Sequence, residues 1–548
     1  MAKELSRNER IKEASEYLRG TLAEGMRDAI TGSIVEDDAQ LVKFHGMYLQ
    51  DDRDLRGERS SKKMEKAFAF MLRVRISGGV LSSAQWLSLD KIARDYGNRT
   101  MRITTRQTVQ LHGVIKSNLK PTLKAIDAAA LSTIAACGDV NRNVMCNPNP
   151  HQSKAHRAAY DLAVALSNHL VPRTPAYREI CSTTSSSPPA MRSPSNDIDV
   201  FANDLGFIAI VAPDGTIEGW NVTVGGGMGM THGEPQTYPR TADVMGFCRS
   251  EDAIAVAEAV VTVQRDWGDR SDRKHARLKY TIDDRGLDAF RAEVERRAGV
   301  TLAAAKPFTF TSTGDRYGWI ESEDGRHHLT LYVENGRVRD LPGAAMLTGM
   351  RKIAERHDGG IHLTPNQNAI IANVAAEDRD AIERLAAEHG LMPPAGGLRR
   401  NAMACVALPT CGLALAESER YLPDLVTALE ARLAAHDLAA DDIVIRMTGC
   451  PNGCARPYLA EIGIVGKGPG RYNLYLGAAF DGSRMNKLYA EDLQHDDIVA
   501  TLDPLLAAYA KERQADERFG AFLIRAGYVA QTVNGRDFHA DRGPQRAV

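Results

Sequence analysis

Apolar and polar positions alternate over FAFMLRVRIS (68–77), which predicts a strand. A Gly78-Gly79 turn follows, then helical spacing over AQWLSLDKIARDYG (84–97) and a return to strand over MRITTRQTVQLHGV (101–114). The same order recurs later. HHLTLYVENGRVRDLPG (327–343) reads as strand, turn, strand; MLTGMRKIAERHDG (346–359) as helix; GIHLTPNQNAIIANV (360–374) as strand. Ile103, Thr104 and Gln107 align with Leu363, Thr364 and Gln367. A repeat this long is a duplicated module, not a solenoid.

The duplication extends further. NRNVMC (141–146) precedes the helical HQSKAHRAAYDLAVALSNHL (151–170) and the strands FIAIVAP (207–213) and TIEGWNVTVGGGMG (216–229). The later copy runs NAMACVALPTC (401–411), a helix predicted over 413–436, strand DIVIRM (442–447), TGCPNGCARP (448–457), then EIGIVG (461–466) and RYNLYLGAAFDG (471–482). Only the later copy has the full set of cysteines, so the chemistry is expected there, with the other half completing the pocket. Residues 1–66 are polar and mostly helical in pattern, an expected arm.

Composition narrows the class. Lys plus Arg is 68 against Asp plus Glu 70, a balance that gives no reason to expect nucleic acid or an anionic membrane as partner. No apolar run reaches transmembrane length, and the first residues lack a signal-peptide core, so the expected location is the cytoplasm. GGGMG (225–229) is followed by turn residues instead of a helix, which fails the dinucleotide pattern. No P-loop or flavin fingerprint appears, so a redox enzyme of this sequence would draw electrons from another protein.

Four of the eight cysteines fall into two pairs, Cys405-x5-Cys411 and Cys450-x3-Cys454. Three readings stand on spacing: a 4Fe–4S cluster, a structural zinc site, or free thiols. Local chemistry favours the cluster. Cys411 is expected where a helix begins, Gly449 and Gly453 let backbone N–H groups approach sulfur, and Pro451 stiffens the turn. Arginines also recur in strand or turn contexts: Arg73, Arg75, Arg102, Arg106 and Arg142. Arg73 lies inside an apolar run and needs a partner, such as an oxyanion or a ligand with many carboxylates.

MACVALPTC with TGCPNGCARPYLAEIGIVGKGPGRYNLYLG resembles the siroheme-dependent sulfite and nitrite reductase family, in particular hemoprotein (beta) components of NADPH-dependent assimilatory sulfite reductases. So do FHGMYLQDDRD, MLRVRISGGV, RQTVQLHG, NRNVMC, NDIDVFANDLGFIAI and AVAEAVVTVQRDWGDRSDRKHARLKY, which together cover nearly the whole chain. The resemblance implies an α+β fold of three domains with an internal pseudo-twofold. Its parts would be an N-terminal arm (1–66), paired ferredoxin-like repeats (67–136 and 318–390), a first siroheme-binding repeat (137–317) and a second repeat (391–548) with cluster and siroheme ligand. It implies Cys405, Cys411, Cys450 and Cys454 as cluster ligands, Cys454 also binding the siroheme iron. Arg73 and Arg142 match the substrate arginines. Arg106, Gln110, His112, Thr364, Asn366 and Gln367 fall in stretches that line siroheme. The implied reaction is six-electron reduction of sulfite to sulfide for cysteine biosynthesis, with siroheme nitrite reduction as the alternative. The implied partner is a flavoprotein alpha subunit carrying FAD and FMN and using NADPH, in a hetero-oligomer that the N-terminal arm helps dock.

One stretch departs from the family pattern. Between Ile180 and Asn196 the family runs longer and includes a basic strand whose two lysines serve sulfite. Here there is only CSTTSSSPPAMRSPS (181–195), with six serines and no lysine. No lysine occurs between Lys154 and Lys274. A cofactor-binding but catalytically impaired member is therefore a further expectation.

Overall fold

The computed structural model describes residues 4–137, 140–171, 186–187, 195–310 and 312–546. It divides into two compact units. One comprises residues 1–225, 242–309 and 315–392; the other comprises 226–241, 310–314 and 393–548. Among the described residues no helix is long and apolar enough to cross a membrane.

The first unit holds the two ferredoxin-like halves, and each lends the other an edge strand. One five-stranded sheet runs Met47–Asp51, Phe68–Arg73, Val109–Val114, Met101–Ile103, with Arg337–Val338 from the second half closing it. Its counterpart runs Gly318–Glu321, His327–Leu331, Ala369–Val374, Ile361–Leu363, closed by Val80–Leu81 from the first half. The exchange depends on glycine. Gly79 and Gly336 both have positive φ, and a Cβ on either would run into the other half's backbone, at the Leu363 and Ile103 carbonyls respectively. The helix Ser83–Tyr96 starts from a capping box between Ser82 and Gln85 and buries Trp86, Leu89 and Ile92. With Phe70, Leu111, Leu329 and Ile371 these residues form one apolar core under both sheets. A third sheet runs Asp243–Cys248, Ile217–Val224, Leu205–Val211 and the short Ser186–Ser187, antiparallel except for the last pair, and packs with the helices Lys154–His169 and Ala253–Trp267 around Trp220 and Phe207.

The arm does not stand apart. Met47–Asp51 pairs with Phe68–Arg73, so the first sheet begins within the segment whose composition reads as an arm. Upstream, the Ser6 N–H donates to the Arg270 carbonyl at 3.2 Å. The buried Glu9 carboxylate is paired with Lys12, Arg270 and Arg273.

In the second unit, one five-stranded sheet runs Ala402–Ala404, Ile445–Thr448, Ile462–Gly468, Arg471–Leu476, Lys487–Leu493. Its first three strands are parallel and the rest antiparallel. The helices Leu422–Ala435 and His495–Glu512 cover it through Leu425, Leu429, Leu502 and Leu506.

Candidate functional site

In the second unit, Ala402–Ala404 and Ile445–Thr448 are adjacent parallel strands with Ala404 opposite Met447. Cys405 follows the end of the first and Cys450 the end of the second, so both leave the carboxyl edge of the sheet, where α/β folds place ligands. The Cys405 N–H is shared between the Met447 carbonyl (3.1 Å) and the Ser418 hydroxyl (3.2 Å). The Gly449 N–H donates to Cys405 Sγ at 3.3 Å, a bond that favours thiolate. The Gly449 carbonyl accepts from Leu415 (2.8 Å) and Ala416 (3.0 Å), which ties the Cys411 loop to the Cys450 loop. Gly453 has positive φ, and a Cβ there would meet the Met228 carbonyl at 2.7 Å. The same turn is held where Pro451 accepts from the Met230 N–H (3.0 Å) and the Tyr458 hydroxyl (3.2 Å).

One expectation is corrected. Cys411 does not begin a helix: the helix starts at Leu422, and Cys411 sits in a turned segment with its N–H on the Ala407 carbonyl at 3.0 Å. Pro423 in the first turn sets that start, and the intervening residues are taken up by contacts to Gly449. No helix N-terminus lies at Cys411, and the backbone donor to sulfur is the Gly449 N–H on Cys405 Sγ.

The four sulfurs share one locale. Burial pushes the Cys450 thiol up, and Cys454, Cys405 and Cys411 all push the same way. None of the four is in a disulfide. A 4Fe–4S cluster gives each cysteine its own iron, and four thiols in one locale, one of them receiving the Gly449 N–H, are a donor set such a cluster can use.

The first unit carries a row of cationic side chains. Arg73 lies opposite Gln110, Gln110 opposite Arg102, and Arg102 opposite Arg337, one row across four strands. His112 lies two residues from Gln110 and bonds its Oε1 at 3.3 Å. Burial, then Arg337, Arg102 and Arg73, hold the His112 pKa well below its usual value, so the imidazole is neutral. Like charges directly opposite in a sheet are unfavourable, which an anionic ligand on this face would offset. Arg142 is brought close by its neighbour. The Asn143 side chain accepts from the Ile76 N–H (2.9 Å) and donates to the Arg106 carbonyl (2.9 Å). Arg142 Nε is buried with no hydrogen-bond partner among the described residues. Arg73 and Arg142 both act on Tyr48, whose hydroxyl touches the Cys137 thiol and whose pKa burial drives up. Arg75 belongs elsewhere, on the Ser167 carbonyl at 2.6 Å.

The two aligned turns behave as a pair. Gln107 and Gln367 both have positive φ and both are buried. Gln107 spans the halves, donating to the Cys146 (2.8 Å) and Leu363 (2.9 Å) carbonyls. Thr364 and Asn366 meet a carboxylate, Asp315, at 2.7 and 3.0 Å. Sequence reasoning missed Tyr48, Cys137, Arg337 and Asp315 as neighbours of the site. Strand register would have found Arg337; no sequence signal marks the others.

A family model described as nitrite/sulfite reductase ferredoxin-like half domain matches residues 62–129 and 320–389. One described as nitrite and sulphite reductase 4Fe-4S domain matches residues 190–302. A sulfite reductase [NADPH] hemoprotein beta-component of Methylobacterium sp. (strain 4-46) is 64% identical, with 99% of this chain and 94% of that protein covered. The protein of the same name from Geobacillus kaustophilus (strain HTA426) is 53% identical, with 97% of each covered. The solved structure of Mycobacterium tuberculosis NirA superposes with a TM-score of 0.80 at 26% identity, covering 95% of this chain and 97% of that one. The Methylobacterium alignment runs over 567 residues, more than the 548 of this chain, so positions of that relative have no counterpart here.

Proposed function

This chain belongs to the nitrite and sulfite reductase family, and we propose that it is the hemoprotein component of an assimilatory sulfite reductase, reducing sulfite to sulfide with six electrons. The observation that carries the reading is the Arg73–Gln110–Arg102–Arg337 row beside neutral His112, a face suited to the carboxylates of siroheme and to an oxyanion. Siroheme and a 4Fe–4S cluster, when bound, would supply the electrons and the iron chemistry for sulfite reduction. Cys405, Cys411, Cys450 and Cys454 would hold the cluster, and Cys454 would also serve siroheme. Arg106, Gln110, His112, Thr364, Asn366 and Gln367 would line siroheme. Arg73 and Arg142 would hold the oxygens of sulfite and offset the negative charge that builds during S–O cleavage. His112, kept neutral, adds no positive charge of its own but can exchange a hydrogen bond with Gln110. The name of the relatives, a beta-component, supports an alpha partner; a flavoprotein using NADPH fits the lack of flavin and pyridine-nucleotide motifs in this chain.

The test is kcat/KM for sulfite and nitrite with reduced methyl viologen as donor. A preference for sulfite is expected; a clear preference for nitrite would make the chain a siroheme nitrite reductase.

A second reading, an impaired member, has its own support: the alignment exceeds the chain in length, and no lysine lies between Lys154 and Lys274. The Ser/Pro stretch at 181–195 falls almost wholly outside the described residues. Arg192 keeps positive charge there but is a poor proton donor near neutral pH. The expected result is sulfite reduction orders of magnitude below that of an intact relative, at about 1.4 kcal/mol per tenfold in rate. Restoring the basic strand should recover it; full activity without restoration would refute the impairment.

A further inference from the structure

The turns closing the two ferredoxin-like halves share a backbone and differ in what holds their side chains. In the first, Thr104 donates to the Thr108 carbonyl at 2.9 Å and Gln107 to the Thr104 carbonyl at 3.1 Å. In the second, Thr364 donates to Asn368 at 2.9 Å and Gln367 to Thr364 at 3.2 Å. The Thr104 and Thr108 hydroxyls satisfy each other at 2.7 Å. The second turn instead closes on a carboxylate. The Thr364 hydroxyl and the Asn368 amide each donate to one oxygen of Asp315 at 2.7 Å, and the Asn366 amide donates to the other at 3.0 Å. The Asn368 amide also reaches the Tyr317 hydroxyl at 2.9 Å.

We propose that Asp315 is a positioning residue for the cofactor-lining turn 364–368: its carboxylate sets the direction of the turn's side-chain hydrogen bonds and so the atoms the turn presents to siroheme. The proposal rests on the siroheme reading above. An ionised carboxylate only accepts. Thr364 must therefore give Asp315 its hydroxyl proton, and its lone pairs receive the Asn366 (3.3 Å) and Asn368 (3.1 Å) N–H groups. Asn366 must turn its NH2 to Asp315; the same nitrogen lies 3.5 Å from the Asp197 carbonyl, so Oδ1 is the end left for a ligand. The Asn368 oxygen is taken by the Val333 N–H at 2.8 Å. Each amide thus has one orientation. Burial pushes the Asp315 pKa up and Asp197 adds to it, while the three side-chain donors oppose the rise. In the first turn Thr104 Oγ1 likewise receives the Arg106 and Thr108 N–H groups, both at 3.2 Å, but its proton falls to the Thr108 hydroxyl, and no carboxylate meets the pair among the described residues.

Asp315→Asn in the full chain tests this, because it keeps size and replaces one acceptor oxygen with a donor. Two measurements are made. In holoprotein, siroheme per cluster iron should fall roughly tenfold, with the absorption band of the remaining siroheme shifted, and Asp315→Glu should recover part of the content. In cofactor-free chain, amide hydrogen exchange at Asn366–Asn368 should speed up roughly tenfold while Arg106–Thr108 stays as in wild type. Wild-type siroheme content and spectrum in Asp315→Asn would overturn the proposal, even with a lowered unfolding midpoint. If the wild-type chain takes up no siroheme, the siroheme reading fails; unchanged exchange at 366–368 would then overturn the role of Asp315 in ordering the turn, and faster exchange would uphold it.

Discussion

Arg102 and Arg337 face each other across two antiparallel strands, and Arg73 lies further along the same row. Relieving like charge in such a row is expected to raise stability and weaken binding of an anionic ligand. Arg102→Gln should raise the stability of cofactor-free chain by a few tenths of a kcal/mol to about 1 kcal/mol while lowering siroheme retention. Denaturant unfolding and siroheme absorbance check the two halves; a loss of both would mean that Arg102 is held by structure instead. Arg73→Ala or Arg142→Ala should lower kcat/KM for sulfite about 10²–10³-fold with cluster content unchanged. Cys454→Ser should uncouple the two iron centres, since a hydroxyl is a hard, poor ligand for this iron; coupled Mössbauer spectra in that variant would remove Cys454 from the bridging role. Of these residues, the cysteines and Arg73 were legible in sequence, because paired spacing and a charge inside an apolar run are local signals. Arg337, Tyr48 and Cys137 were not, because their place is set by strand register and by contacts far along the chain.

At the scale of elements, the alternation of residues 68–77 and 101–114 and its recurrence at 327–374 gave the paired halves, since a period of two is enforced by burial of one face of a sheet. The exchange of edge strands was not legible: Val80–Leu81 and Arg337–Val338 are too short to carry a pattern. The helix after Cys411 was placed early because apolar spacing continues upstream of Pro423 into a turned segment. The second sheet also carries a pH liability. His151 stacks on His328 and His362 with ring centroids 6.0 and 5.9 Å apart. Burial first, then His151, holds His328 at about 4 and His362 at about 3. Asp324, Arg157, His327 and His357 also act on the three rings. Folded values below the unfolded one mean that the neutral rings contribute stability above about pH 6.5, which is lost as pH falls toward 4. Urea unfolding between pH 7.5 and 5 should show this, with His362→Gln reducing the slope by an amount that grows toward about 1.4 kcal/mol per pH unit as pH falls below about 6.5. An unchanged slope would mean the ring gains a proton without penalty.

At the scale of the molecule, the N-terminal segment is both a structural part of the first unit and a surface. Tyr17, Ile30, Val35, Leu55 and Met64 are exposed. Removing residues 1–60 would strip the edge strand Met47–Asp51, so a truncation would confuse docking with unfolding. Ile30→Asp with Val35→Asp changes two exposed side chains and is expected to spare the fold. With the partner and NADPH, activity should fall several-fold, while activity with reduced methyl viologen should match the unsubstituted chain; equal loss with both donors would count against docking by this segment. The four cysteines are expected to hold a 4Fe–4S cluster in a siroheme protein, which iron, acid-labile sulfide, zinc and siroheme measured together on freshly isolated protein will decide. About five irons, about four labile sulfides and one siroheme per chain are expected, without zinc; stoichiometric zinc with neither labile sulfide nor siroheme would exclude the cluster and the siroheme site.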